Sequence, residues 1–304
     1  MEPKTFSPAA KDIYKQALRY VILKEREVRE TGEITVAQLF ELANLIVEST
    51  EKSEQLNSFA VYYFDTADIT HSHVINTAIF ATVLVRGIGY SEDDLVKVCA
   101  TALLHDIGVA KVDSAIFNKP IKQLKPHEIN AIKNHSGFGY EIIVQSDDKL
   151  EGLAQSVFQH HEKGDGSGYP GQLTEKEMLP TAQILSLIDV YESLIHPRDH
   201  RDALIPPLGI QELIKQEGKR FSKPLLKALI ETISLYPTGC YVKLNSGELA
   251  RVIKTNKHLP TRPQVKILFD ARRQSTKQQI LDLARNNLAF IQTCIPPPGM
   301  RKIE

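Results

Sequence analysis

Three apolar stretches of this chain run directly into ionisable residues. Val98 to Leu104 ends on His105-Asp106, the stretch through Leu153, Val157 and Phe158 leads into His160-His161-Glu162, and Ile184 to Ile188 leads into Asp189. An unpaired carboxylate in apolar surroundings is costly. The chain is therefore restricted to folds that bring a partner or a cation to these ends. Of its ten histidines, seven lie between His71 and His161.

Hydrophobic periodicity places these residues on helices. Lys11 to about Asn57 reads as helical, broken at Thr31-Gly32, and carries no evident chemistry. From Tyr62 to Tyr236 helix follows helix. Val74 to Val85 is apolar almost all round, the mark of a central buried helix. Ser91 and Asp94 form a capping-box-like start to a helix through Leu104, and Gly108 suits its end. Pro126 opens a helix expected to carry Ile129, Ile132 and His135, and Asp165 to Gly171 is a loop. After Pro237 the pattern alternates. Tyr241–Leu244, a turn at Asn245-Ser246-Gly247, Leu249–Ile253 and Val265–Phe269 read as strands. The expected fold is mostly α, a helical bundle at 61–236 with an N-terminal helical segment at 1–60 and a small β-rich appendage at 237–304.

Lys+Arg 37 against Asp+Glu 37 gives no global field for a nucleic-acid polymer or an anionic membrane. An anionic substrate must then meet local positive charge or bound metal. The start of the chain has no signal-peptide pattern, and Val74 to Ile88 is too short and too polar to span a membrane, so a cytoplasmic protein is expected. Cys99, Cys240 and Cys294 lie far apart, outside any CxxC pair, and read as ordinary reduced thiols.

Adjacent helical residues point about 100° apart, so a His-Asp or His-His pair reaches two points of one pocket. That suits two metals sharing a carboxylate, with Asp106 the natural bridge. Imidazole and carboxylate without thiolate suit Fe, Mn or Zn. His71, His127, His196, His200 and His258, taken singly, read as surface or capping residues.

His105-Asp106-Ile107-Gly108, then His135, His160-His161-Glu162 and Gly166-Ser167-Gly168-Tyr169-Pro170 resemble the HD-GYP family of bacterial cyclic di-GMP phosphodiesterases, a branch of the HD-domain metal phosphohydrolases. The resemblance covers about residues 65 to 236, and the stretch after Leu235 looks like the β-rich tail common behind such domains. It implies an HD-domain-like bundle. It also implies two divalent metals, Fe or Mn first. One would take His73, His105, Asp106 and Asp189, the other Asp106, His135, His160 and His161. His73 is matched because Asn76 follows it by three. Arg198 and Arg201 fall where the family holds substrate phosphate or guanine, and Gly168 and Tyr169 belong to the pocket loop. That loop is also implied as a docking surface for GGDEF-type diguanylate cyclases.

Two departures stand out. Val109 occupies the place of a usual lysine, leaving Lys111 as the nearest basic residue and the expected catalytic cation beside Asp106. Ile69 replaces a glutamate that binds a third metal in some members, and Asp68 is one residue off, so two metals are expected. The leading expectation is a phosphodiesterase converting cyclic di-GMP to the linear dinucleotide and onward to GMP. The alternatives are a catalytically weak cyclic-dinucleotide receptor or protein scaffold, and a phosphohydrolase of another nucleotide.

Overall fold

The structure, a computed structural model, describes residues 8–62, 69–117, 119–197, 203–217, 220–256, 258–276 and 279–295. Its helices are α1 (Pro8–Thr31), α2 (Leu39–Lys52), α3 (Gln55–Tyr62), α4 (Ile69–Gly87), α5 (Glu92–Leu104), α6 (Ser114–Phe117), α7 (Pro126–Lys133), α8 (His135–Ser146), α9 (Glu151–Gln159), α10 (Pro180–Ile195), α11 (Pro206–Glu217) and α12 (Lys223–Thr232). A short 3₁₀ helix, Ile107–Lys111, follows α5. The strands are β1 (Tyr241–Leu244), β2 (Leu249–Lys254), β3 (Gln264–Phe269), β4 (Ile280–Asp282) and β5 (Ile291–Ile295).

The helix α4 is the axis of the bundle. Thirteen of its residues are buried, from Ser72 to Val85, and α1, α2, α3, α5, α10 and α12 all pack on it. That is the arrangement its all-round apolar sequence requires. Tyr14, Ala17, Leu39 and Ile46 from the first two helices share one apolar core with Ile79, Leu104 and Ile188. The start of α5 is set by Ser91, whose Oγ accepts the Asp94 N–H at 3.3 Å, and Glu92, Asp93 and Asp94 fill its first turn. Carboxylates there complement the helix dipole.

Two local expectations change. Gly108 is not a helix-end glycine, because α5 stops at Leu104 and Gly108 lies inside the 3₁₀ helix. A Cβ on it would lie 1.9 Å from the His135 carbonyl oxygen, so the glycine is required by how closely this turn meets α8. His135 does not end the Pro126 helix. The chain kinks at Asn134, and His135 becomes the first residue of α8, aimed across at Asp106.

The C-terminal sheet is antiparallel, in the order β4-β3-β2-β1-β5. The β1–β2 turn holds Gly247 at φ +93°, a conformation open to glycine. The three strands expected from alternation are present. The strands β4 and β5 were not legible, since β4 has three residues with none buried and β5 buries only Ile291 and Cys294 of its five. Val242, Leu244, Ala250, Val252 and Val265 form the sheet's own core, and Tyr62, Ile205 and Tyr236 from the helical side pack against it.

Candidate metal centre

Helix ends deliver most of the site. His105 closes α5 and Asp106 follows it, His135 opens α8, His160 and His161 follow α9, and His73 and Asp189 project from α4 and α10. Three of the imidazoles are anchored alike. Nδ1 of His105 donates to the Ala102 carbonyl at 2.7 Å, that of His135 to Ile132 at 2.7 Å, and that of His160 to Val157 at 2.5 Å. A carbonyl only accepts, so Nδ1 carries the proton and Nε2 presents a lone pair. These lone pairs converge. Nε2 of His105 is buried with no hydrogen-bond partner, and those of His135 and His160 face each other at 3.4 Å. Two lone pairs set against each other repel unless a cation lies beside them. The donor set fits a divalent metal on these grounds.

Asp106 stands between two clusters. One of its oxygens lies 3.3 Å from His135 Nε2 and 3.7 Å from His160 Nε2, and the other 3.6 Å from His105 Nε2 and 3.9 Å from His73 Nε2. Asp106, His135, His160 and His161 offer ligand atoms within 4.8 Å of one another, as do His73, His105 and Asp189. Asp189 is also shared, at 3.0 Å from His73 Nε2 and 3.6 Å from His161 Nδ1.

The electrostatics suit ligation. Burial acts to raise the Asp106 pKa, yet His105, His135 and His160 hold its carboxyl well below the usual range. Burial pushes His105 down to about 4 and His161 well below its ordinary value, so both imidazoles are neutral at pH 7. Burial is the largest influence on His135 and opposes its charge, but the nearby Asp106 and Asp189 carboxylates and the Ile132 carbonyl together outweigh it and raise that pKa.

Glu192 was missed in the sequence. It is 1 % exposed, and its carboxylate accepts from His73 Nδ1 and from Asn76 Nδ2 at 3.2 Å, with His196 Nδ1 in ion-pair contact at 2.8 Å. Asn76 in turn accepts the Tyr14 hydroxyl at 3.0 Å, so the network reaches α1, where no chemistry was expected. His196 is therefore a buried partner of Glu192, not a surface residue. Asp189 and Glu192, the two carboxylates of α10 and three apart, share a face; that was the available signal. A carboxylate behind a ligating histidine fixes its tautomer and raises its basicity. Glu192→Gln is expected to weaken metal affinity by about 10–100-fold with the fold retained, measured by competition with a chelator. Unchanged affinity would leave Glu192 a purely structural residue.

The loop after His161 forms one wall. Glu162, fully buried, accepts the amide N–H groups of Gly171 and Leu173, the latter at 3.0 Å. Gly168 lies so close to the Glu162–Lys163 backbone that a Cβ would sit 2.4 Å from the Lys163 nitrogen. Tyr169 leans on the His161 ring at 4.7 Å between centroids, and Lys133 Nζ lies 5.0 Å from the Tyr169 ring centre. Val109 is buried and Lys111 exposed. His71, read singly as a surface residue, is half-buried and bonds Glu25 at 2.5 Å. Arg198 and Arg201, with His200 and Asp68, lie outside the described residues.

The HD domain family matches residues 43–225, and a KOW domain associated with the HD domain matches residues 241–302. A cyclic di-GMP phosphodiesterase of Pseudomonas aeruginosa is 27 % identical over 267 residues, covering 87 % of this chain and 64 % of its own. The cyclic di-GMP phosphodiesterase PdeB of Borreliella burgdorferi is 29 % identical, covering 68 % of this chain and 56 % of its own. A 3'3'-cGAMP-specific phosphodiesterase of Vibrio cholerae is 30 % identical, covering 68 % and 40 %. The chain thus spans less than two thirds of the length of these relatives. Among solved structures, the HDG"Y"P protein Bd1817 of Bdellovibrio bacteriovorus has the same fold, with a TM-score of 0.61 at 20 % identity over 75 % of this chain and 73 % of that one. No helix among the described residues is long and apolar enough to cross a membrane.

Proposed function

The chain belongs to the HD domain family, and from that premise we propose that it is an HD-GYP-type, metal-dependent phosphodiesterase hydrolysing cyclic di-GMP. The observation that carries this reading is Asp106, one oxygen turned to each of two clusters whose histidines present lone pairs inward. Fe or Mn fits the nitrogen and oxygen donors, with His73, His105, Asp106 and Asp189 on one side and Asp106, His135, His160 and His161 on the other. Two divalent ions supply Lewis acidity toward a phosphoryl oxygen and make water a nucleophile at neutral pH. The residues around them hold and orient. Backbone carbonyls lock His105, His135 and His160 in the ligating tautomer, Glu192 does so for His73, and Glu162 braces the loop that carries Gly168 and Tyr169 against the pocket. Arg198 and Arg201 would bind phosphate or guanine through their planar forks. The same loop would receive a GGDEF-type cyclase.

Turnover of cyclic di-GMP with Mn or Fe under anaerobic, reducing conditions tests the reading. A bound but uncleaved dinucleotide would overturn it in favour of a receptor, and cleavage of another cyclic dinucleotide alone would move the substrate. Val109 favours slow turnover, because a buried aliphatic stands where the family carries a phosphate-facing cation. Val109→Lys is expected to raise the rate, by up to about 10²–10³ if the ammonium meets developing charge. Lys111→Ala and Lys133→Ala belong in the same assay at saturating metal. A silent Val109→Lys beside a Lys111→Ala or Lys133→Ala variant that abolishes turnover would show that another lysine fills the role.

A further inference from the structure

Cys240 and Cys294 are 54 positions apart, and nothing in the sequence pairs them. The sheet does. Cys294 lies in β5 opposite Val242 of β1, and Cys240 sits just ahead of β1, so their Sγ atoms come to 3.2 Å. A disulfide spans about 2.05 Å between sulfurs, so closing the bond asks for a movement of roughly 1 Å. The pair lies where the sheet meets the helices. Tyr62 at the end of α3, half-buried, and Tyr191 of α10, fully buried, lie beside Cys240. The interactions with Cys294 and Tyr62 hold the Cys240 thiol below its ordinary range against the effect of burial. Cys294, with Tyr236, Ile205, Leu208 and Thr293, lines a groove of about 430 Å³, so a small oxidant can reach it. Cys99 offers the opposite case, being fully buried on α5 with its thiol pushed up to about 12 by that burial.

We propose that Cys240 and Cys294 are an oxidation site at which a peroxide entering along this groove makes an intramolecular disulfide. The Cys240 sulfur, the one of the pair held toward thiolate, attacks one peroxide oxygen and breaks the O–O bond, giving a sulfenic acid and hydroxide. Cys294, in contact with it, then gives up its proton, attacks the Cys240 sulfur and expels hydroxide. The two thiol protons convert both hydroxides to water, so two thiols and one peroxide become one disulfide and two waters. The ring so closed runs from Cys240 to Cys294, encloses β1 to β4 and ends within β5. The free thiols are already in contact, so no rearrangement of the fold precedes the reaction.

The test treats the full chain with hydrogen peroxide, quenches it, and alkylates it after denaturation. Before alkylation, the expected product is lighter than the reduced chain by two hydrogens. It carries one alkylated thiol, at Cys99, in place of three, yields a Cys240–Cys294 peptide, and reverts with dithiothreitol. Cys99→Ser should behave identically in forming the bond, while Cys294→Ser should lose it. Three alkylatable thiols after treatment, or a sulfinic acid at Cys240 or Cys294 without a crosslink, would overturn the proposal. So would an intermolecular disulfide as the main product. Amide exchange in β1 and β5 should slow by roughly 30-fold or more in the oxidised chain, as a bridge closing a long loop implies. An unchanged rate with the bridge in place would refute the clamping effect.

Discussion

Replacing Asp106 by alanine is expected to empty both halves of the centre, leaving far less than one metal per chain where the parent holds about two. His73→Ala or His135→Ala should each retain more. The asymmetry follows from geometry, since each histidine faces one cluster whereas the Asp106 oxygens face both. Turnover should fall by about 10³ or more, the scale of losing a principal electrostatic element of a site. The fold should survive, because the Asp106 side chain makes no capping bond to the 3₁₀ helix it precedes. Metal analysis of anaerobically purified variants, with a thermal melt of each, gives the answer. Parent-like metal content in Asp106→Ala would remove the bridging carboxylate from the account.

Gly108→Ala should be the most damaging change outside the ligands. Its new methyl would meet the His135 carbonyl oxygen at 1.9 Å and the Gly139 nitrogen at 2.5 Å, and both are backbone atoms that cannot rotate away. Relief requires α8 to move off the 3₁₀ helix, which carries His135 away from Asp106. A loss of about 3 kcal/mol or more is expected, at the upper end for overpacking. The metal on the His135 side should go with it. Gly152→Ala is the control. It lies near the start of α9, where a Cβ meets nothing within 4 Å, so the change should be neutral or stabilising by about 0.5–1 kcal/mol. Urea unfolding of the two variants separates a packing effect from a general sensitivity of glycines to substitution.

The sequence by itself determined what short-range physics encodes. Ser91 caps α5 because a hydroxyl three residues before a free amide can satisfy it, and Gly247 turns the first hairpin because it can adopt a positive φ. The nearly all-round apolar surface of α4 from Val74 to Val85 admits only a central place. The ionisable residues ending apolar stretches marked where chemistry had to lie, and the motif order pointed to its kind.

What tertiary structure decided depends on atoms distant in the chain. The role of Gly108 is set by a carbonyl on α8, and the tautomers of His105, His135 and His160 by carbonyls that the helix ends leave available. Glu192 acquires its function only when α10 lies against α4, bringing it to His73 and Asn76. The thiols of Cys240 and Cys294 become neighbours only through the pairing of β1 with β5, and β5 itself was invisible because two buried positions in five make no alternating pattern. Local pattern reports propensity and burial. Which groups touch across 54 or 119 positions is settled by packing, because contact energy depends on where the backbone has carried them.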